Sequence, residues 1–353
     1  MKKICILCLC FMLVACQRVT SYEINPTDEL KIERSVLFET NTDIISDAAV
    51  FDVDDHYAYL KVQDQDNQLY EFYRLDKDQH LELMFTYPYT KDMESLLSLS
   101  GFISKGELYV AENNFYENSS RILKINDQKE QVLYEHDGLL WIIYHNEDSF
   151  LVEEMVNNKN SHSQSYQQDY KYLKFDLKDY QMELLLESSI RIENASIKQF
   201  DIFNVSQITE NGFIYQTDEK IYYYDIDTKE SKELLENNDY ISVYGNETIL
   251  FAAESRNIHF FVKDHGTYKD YVYPLESISN ILDISFTDNR VLFVYEDAFR
   301  EYVGMFSEDD GMFKLYRYEY SDIDGDFYFY DNGLYLIIQN DHYLTIEKCA
   351  LIF

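Results

Sequence analysis

Seven times along this chain a turn rich in Asn, Asp or Gly leads into a short apolar segment that stops at an acid or a glutamine. The segments are "DDHYAYLKVQ", "SKGELYVAE", "NEDSFLVEE", "ENGFIYQTD", "GNETILFAAE", "TDNRVLFVYE" and "YDNGLYLIIQ". They end at Gln63, Glu112, Glu154, Asp218, Glu254, Glu296 and Gln339, so the spacings are 49, 42, 64, 36, 42 and 43 residues. A period of about 40–50 residues with several strands per unit is the signature of β-propeller blades, each of which needs its neighbours to bury both faces.

The units stay in step on either side of these segments. A first strand precedes each turn, as in "AVFDV", "GFIS", "LLWIIY" and "FYFY". A third follows, as in "YEFYRLD", "SRILKIN" and "YKYLKFD", and the first six units add a fourth, as in "LELMFTY", "EQVLYEH" and "MELLLES". The seventh unit runs out at Phe353 after its third strand, while a surplus strand of fourth-strand character, "KIERSVLFET", stands at Lys31–Thr40. Pairing that strand onto the last blade closes the fold and removes an edge that would invite aggregation. The expected fold is therefore all-β, a single β-propeller over residues 31–353, with seven four-stranded blades closed by the N-terminal strand. The 33 Tyr and 23 Phe suit strands, and with only 10 Gly and 3 Pro the turns must be built mainly from Asn and Asp.

The first residues read as a leader. Lys2 and Lys3 precede an apolar run from Ile4 to Ala15, which is signal-peptide length and too short for a membrane-spanning helix of roughly 20 residues. Leu13-Val14-Ala15-Cys16 resembles the bacterial lipobox. That resemblance implies cleavage before Cys16, diacylglyceryl attachment to its thiol and further acylation, hence firm anchoring to a membrane. Residues 1–15 are then the signal peptide and 16–30 a polar tether. Four of the five cysteines (Cys5, Cys8, Cys10 and Cys16) lie in this region, which leaves Cys349 alone in "YLTIEKCALIF" as a small apolar strand residue.

Taken with the lipobox, the repeat makes the chain resemble bacterial lipoproteins that carry propellers of the broad WD40/YVTN-like kind. No blade holds the Gly-His and Trp-Asp signatures of true WD40 repeats. The resemblance implies fold and location and leaves activity open.

The formal net charge is −35, and loss of Lys2 and Lys3 with the leader takes it to −37. Nucleic acid is disfavoured as a partner because phosphate binding needs a basic surface. Anionic headgroups are disfavoured for the same reason, so the lipid must do the anchoring. The acid spaces molecules from one another, and a monomer is expected.

Long connections fall where strands two and three join or where blades join: Met155–Asp169, Ser188–Phe203, Pro88–Ser100, Asn113–Ser119 and Ser321–Asp326. Loops on a rigid scaffold are where binding residues gather. Asn157, His162 and Tyr166 of "MVNNKNSHSQSYQQD" are the candidate binding residues, against the alternative that this is a tolerated surface insertion.

No nucleophile elbow, zinc-protease motif, P-loop or C-x-x-C is present, and eight histidines are scattered without ligand spacing. Asp322, Asp324 and Asp326 share the one-three-five spacing of a Ca2+-binding EF-hand loop, but Phe327 and Gly333 occupy the places of its Gly and its bidentate Glu. The stretch reads first as an acidic turn and only then as a Ca2+ candidate, and no other cofactor is expected. Trp141, the only Trp, is expected in the core. The leading functional expectation is an extracytoplasmic, membrane-anchored lipoprotein whose propeller binds or scaffolds a protein or glycan of the cell envelope. The alternative is a glycan hydrolase or lyase that works through channel carboxylates.

Overall fold

The computed structural model of the protein describes residues 19–27, 30–41, 48–64, 66–88, 97–115, 117–126, 129–158, 165–193, 196–200, 203–206, 209, 211–217, 219–237, 240, 242–276, 280–287, 290–330, 333–340 and 343–352. All regular structure among them is strand. β1 (Thr20–Glu23) and β2 (Lys31–Asn41) come first. Blade one is β3 (Ala48–Val53), β4 (Tyr57–Asp64), β5 (Leu69–Asp76) and β6 (Leu81–Pro88). Blade two is β7 (Leu97–Ser104), β8 (Glu107–Asn114), β9 (Ser119–Asn126) and β10 (Lys129–His136). Blade three is β11 (Leu139–His145), β12 (Ser149–Asn158), β13 (Ser165–Asp176) and β14 (Met182–Glu193), with β15 (Ser196–Phe200) added outside. Blade four is β16 (Phe203–Ser206), β17 (Gly212–Gln216), β18 (Lys220–Asp225) and β19 (Glu230–Glu236). Blade five is β20 (Ser242–Gly245), β21 (Ile249–Ala253), β22 (Asn257–Asp264) and β23 (Thr267–Pro274). Blade six is β24 (Asn280–Thr287), β25 (Arg290–Asp297), β26 (Arg300–Asp309) and β27 (Met312–Glu319). Blade seven is β28 (Asp326–Tyr330), β29 (Gly333–Asn340) and β30 (Tyr343–Ile352), and β2 is its fourth strand. Among the described residues there are thus seven sheets, each built on four antiparallel strands, a seven-bladed β-propeller fold.

Blade burial explains the sequence pattern. Second strands are covered on both faces, so β17 and β21 are buried at all five positions and read as unbroken apolar runs. Fourth strands face outward, and β10 and β19 are mostly exposed and charged.

The contacts divide the chain into two units. One holds β2 with blades one to four and seven. There β2 pairs antiparallel with β30, from Lys31 opposite Ile352 to Asn41 opposite Tyr343. Its register slips between Val36 and Phe38, which bulges Leu37. The fourth strands of blades one to four slip at the corresponding place and bulge Met84, Leu133, Leu185 and Leu234. β2 therefore carries the same irregularity as the fourth strands it resembles in sequence. Such bulges increase twist and blunt an outer edge. Between blades, Phe38 packs with Val53, Leu60 and Leu344. Phe102, Tyr109 and Ile122 likewise pack against Leu140, Phe150 and Phe175.

The other unit holds β1 with blades five and six, whose core includes the stacked pair Phe260–Phe306, both fully buried, with ring centroids 4.1 Å apart. Here the fourth strands β23 and β27 pair without a slip. These two flat edges are the ones that the N-terminal segment covers. β1 lies parallel to β23, Ser21 Oγ donates to Asp270 at 2.9 Å, and Tyr22 stacks on Tyr271. Thr27 then bridges to Tyr316 of β27, with its N–H on the Leu315 carbonyl. Residues 20–27, within the stretch 16–30 that the sequence reads as a tether, are thus bound to sheet edges. Parallel edge pairing needs backbone groups only, so the polar side chains gave no sign of it.

Two further expectations change. β12 runs on to Asn158 and β13 begins at Ser165, so most of Met155–Asp169 is paired hairpin and not loop. β14 continues through Glu193 and β15 folds back along it, so Ser188–Phe203 is largely sheet. Polar residues suffice in such an extension because the ladder bonds are made by the backbone. Trp141 is half-buried, while its neighbours Leu139 and Leu140 are buried.

Cys349 is buried, and burial pushes its thiol up to about 12. A chain that begins after the leader and carries Cys16→Ser has this thiol alone. It should resist dithiobis(nitrobenzoate) at pH 8 until denaturant is added, because the thiolate is the reactive form. Fast reaction of the folded chain would contradict this placement.

Candidate functional site

The turn between β8 and β9 and the link from β10 to β11 border a cavity of about 590 Å³. The register sorts the residues that border it onto the two faces of the sheet. Glu112 stands opposite Arg121, Asn113 opposite Ser120, and Asn114 opposite Ser119 across β8 and β9. β10 then places Glu135 opposite Arg121 and His136 opposite Ser120.

Glu112 is buried and accepts a fork from Arg121, Nε to Oε1 at 2.8 Å and Nη2 to Oε2 at 3.0 Å. Arg121 Nη2 also lies 3.4 Å from the Tyr87 hydroxyl. In the turn, the Glu117 N–H donates to Asn114 Oδ1 at 3.0 Å, and Asn114 Nδ2 donates back to the Glu117 carboxylate at 3.2 Å. Ser120 is 8 % exposed, and its buried Oγ has no hydrogen-bond partner among the described residues. Glu117, Glu135 and Asp137 also border the cavity, and none of them has a Lys or Arg partner within ion-pair distance among the described residues. Among the described residues, His136 is the only aromatic side chain in the wall.

Beside the cavity, blade two is clamped to blade three. Asn113 is fully buried, donates Nδ2 to the Leu140 carbonyl at 2.6 Å and accepts the Leu140 N–H at 2.7 Å. The Ile142 N–H donates to Ser100 Oγ at 3.0 Å. Behind the wall sits Glu154, 3 % exposed, which accepts from the Tyr134 hydroxyl and lies 3.6 Å from His136 Nδ1. Burial first, and the bond to Glu154 second, raise the Tyr134 phenol well above its ordinary range. His136 Nε2 faces Gly138, where a Cβ would come within 2.5 Å of it and 2.4 Å of the Met155 carbonyl, so only Gly fits there.

Neither His136 Nε2 nor Ser120 Oγ makes a hydrogen bond among the described residues, so the two do not form a nucleophile–base pair. Burial raises the carboxyl of Glu153 while the Tyr172 hydroxyl lowers it, and no second carboxylate contributes.

Asn157 lies in β12 opposite Gln168, and Tyr166 in β13 opposite Ile192. His162 and Cys16 lie outside the described residues. Asp322 and Asp324 stand in an exposed turn and Asp326 opens β28 opposite Ile337. Among the described residues no group of three His, Cys, Asp or Glu could hold a metal ion. No helix among them is long and apolar enough to cross a membrane. The cavity residues were not among the sequence candidates. The one sign of them was a Glu and an Arg flanking a short Asn-rich turn, "ENNFYENSSR".

No protein-family model and no curated protein matches the chain. Among solved structures it is similar to a chain from a study of two prolyl endopeptidases, at 10% identity and a TM-score of 0.49, over 87% of this chain and 46% of that one. It thus spans about half the length of that enzyme. It is similar to an oligogalacturonate lyase in complex with manganese, at 9% identity and a TM-score of 0.48, over 92% of each chain. It is also similar to the WD40 domain of Toxoplasma gondii coronin, at 8% identity and a TM-score of 0.47, over 94% of this chain and 88% of that one. These are distant likenesses, and the fold rests on the strand pairing of this chain itself.

Proposed function

We propose that this protein is a membrane-anchored extracytoplasmic lipoprotein, monomeric, whose propeller binds or scaffolds a protein or glycan partner of the cell envelope. The binding half rests on the blade-two cavity: polar groups border a hollow on a blade that the two-bond Asn113 clamp ties to its neighbour. The anchoring half rests on the leader and on Leu13–Cys16, which lie ahead of the described residues. Cys16 stands four residues before Thr20, where pairing to β23 begins, and four residues reach at most about 14 Å. An acylated Cys16 therefore brings the outer edge of blade five close to the bilayer.

Cys16→Ser is expected to abolish processing and release the protein from membranes of its host, read by fractionation and mass spectrometry of the N-terminus. A variant that is still processed and still sediments with membranes overturns the anchor. Crosslinking in those membranes tests the binding half. A specific partner should be captured by the native chain and lost with Glu117→Lys/Glu135→Lys.

A further inference from the structure

We infer that the turn joining β25 to β26 presents Phe299 as an anchor for a protein partner, one that offers an apolar pocket with a basic rim. The inference rests on the binding reading above and adds a contact on blade six.

Four two-residue hairpin turns among the described residues have positive φ at both positions. Three are Lys105-Gly106 between Ser104 and Glu107, His265-Gly266 between Asp264 and Thr267, and Asp310-Gly311 between Asp309 and Met312. Each puts Gly second, at φ of 78°, 89° and 75°, where a Cβ would crowd the backbone. The fourth is Ala298-Phe299 between Asp297 and Arg300, at φ of 49° and 67°. A bulky side chain in that region is a strained outlier. The ring makes up for none of this strain by packing inside the molecule, because Phe299 is 94 % exposed.

The base of the turn is fixed. Asp297 is buried, and its carboxylate accepts the Glu276 N–H at 3.2 Å. The Glu301 N–H donates to Ser321 Oγ at 2.9 Å, and the Tyr320 N–H donates to the Glu301 carbonyl at 3.0 Å. Arg300 Nη1 lies 3.2 Å from the Glu319 carboxylate. An aromatic ring held out on a fixed base loses little freedom on binding. Aromatic anchors that fill a partner's pocket carry a large share of the energy of an interface.

Charge and direction choose the partner. Glu296, Asp297 and Glu301 flank the turn and Glu319 joins it, against Arg300 alone. Basic groups around an apolar pocket complement that set, whereas anionic headgroups are repelled by it. Glu276 follows the Pro274 end of β23, so its bond to Asp297 puts the turn at that end. The N-terminal segment joins β23 toward the other end, with Thr20 beside Lys269. Five residues of strand, roughly 16 Å, lie between Lys269 and Pro274. The proposed anchor thus enters at the end of blade five away from this turn, which favours a protein over the bilayer.

Two measurements test the inference. Phe299→Gly makes the turn like the other three and should raise the melting temperature by roughly 2–4 °C, since strain goes and no packing is lost. A variant that melts lower than the native chain shows the ring to be structural and overturns the inference. For the second, p-benzoylphenylalanine stands in place of Phe299 in the full chain, which is illuminated in membranes of its host. The linked peptide is then sequenced by mass spectrometry. The control carries the same group in place of Met312, which is 60 % exposed at another turn of blade six. Position 299 should link to one protein, at an apolar segment flanked by Lys or Arg, and position 312 should not. Phe299→Ser should weaken binding of that purified protein by at least roughly tenfold, and Met312→Ser should leave it unchanged.

Links to lipid alone, links shared by both positions, or no link at all overturn the inference. A partner lost with Glu117→Lys/Glu135→Lys but kept with Phe299→Ser leaves the binding reading standing and overturns the anchor on blade six. A partner lost with Phe299→Ser but kept with Glu117→Lys/Glu135→Lys supports that anchor and overturns the cavity as the site.

Discussion

Deleting residues 31–41 is expected to leave no cooperatively folded protein. The segment is the whole fourth strand of blade seven, paired with β30 from Lys31 to Asn41 on either side of the bulge at Leu37. Its Phe38 is 1 % exposed and packs into the cluster of Val53, Leu60 and Leu344. Losing a buried Phe alone costs about 3–5 kcal/mol, against a whole stability of about 5–15 kcal/mol. The deletion also removes Arg34, whose guanidinium lies 3.4 Å from Glu347, and strips β30 of its partner strand. The bare edge then offers a row of unpaired N–H and C=O groups to other chains. Circular dichroism should show no sharp thermal transition, and size-exclusion chromatography should show aggregate. A monomer that melts within a few degrees of the intact chain would mean that β2 is an accessory to the blade and not part of it.

Asn113→Ala carries the next largest effect. The Leu140 backbone is fully buried, and its N–H and C=O are both satisfied by this one side chain. Removing the amide leaves two buried polar groups without partners, at about 1–3 kcal/mol each. Each kcal/mol lowers the melting temperature of a large domain by roughly 2–4 °C, so a drop of roughly 10 °C is expected. Asn113→Asp separates the two bonds. It keeps an acceptor for the Leu140 N–H but turns an acceptor on the Leu140 carbonyl and buries a charge, so it should be at least as damaging. If both variants melt like the native chain, the clamp contributes nothing to the seam between blades two and three.

The repeat and the closing strand were legible because burial writes itself into residue type. A second strand covered on both faces must be apolar throughout, as in "ILFAA", and an outward fourth strand can be charged, as in "KEQVLYEH". The slip at Leu37, Met84, Leu133, Leu185 and Leu234 was not legible, because a bulge depends on the register of two strands and each of these residues looks like any other apolar position. Residues 20–27 read as tether, and 155–158 and 165–169 as loop, because edge pairing and hairpin extension are made by the backbone. The site was the least legible part. Asn113 stood at the start of a stretch read as loop, and its two bonds reach a residue 27 positions away.

The pairing of the N-terminal segment also bears on the order in which the molecule can be finished. Ser21 meets Asp270, 249 residues later, and Ser35 of β2 meets Lys348, 313 residues later. Contacts so distant in sequence form slowly, because a long loop must close before they contribute. Yet the two segments that complete these sheets are synthesised before the strands they pair with. When β23 and β27 emerge with their flat edges, the residues that cover them already exist, and when β30 emerges its partner has been waiting longest of all. The pairing of β30 with β2 is then the step that commits blade seven to its final state.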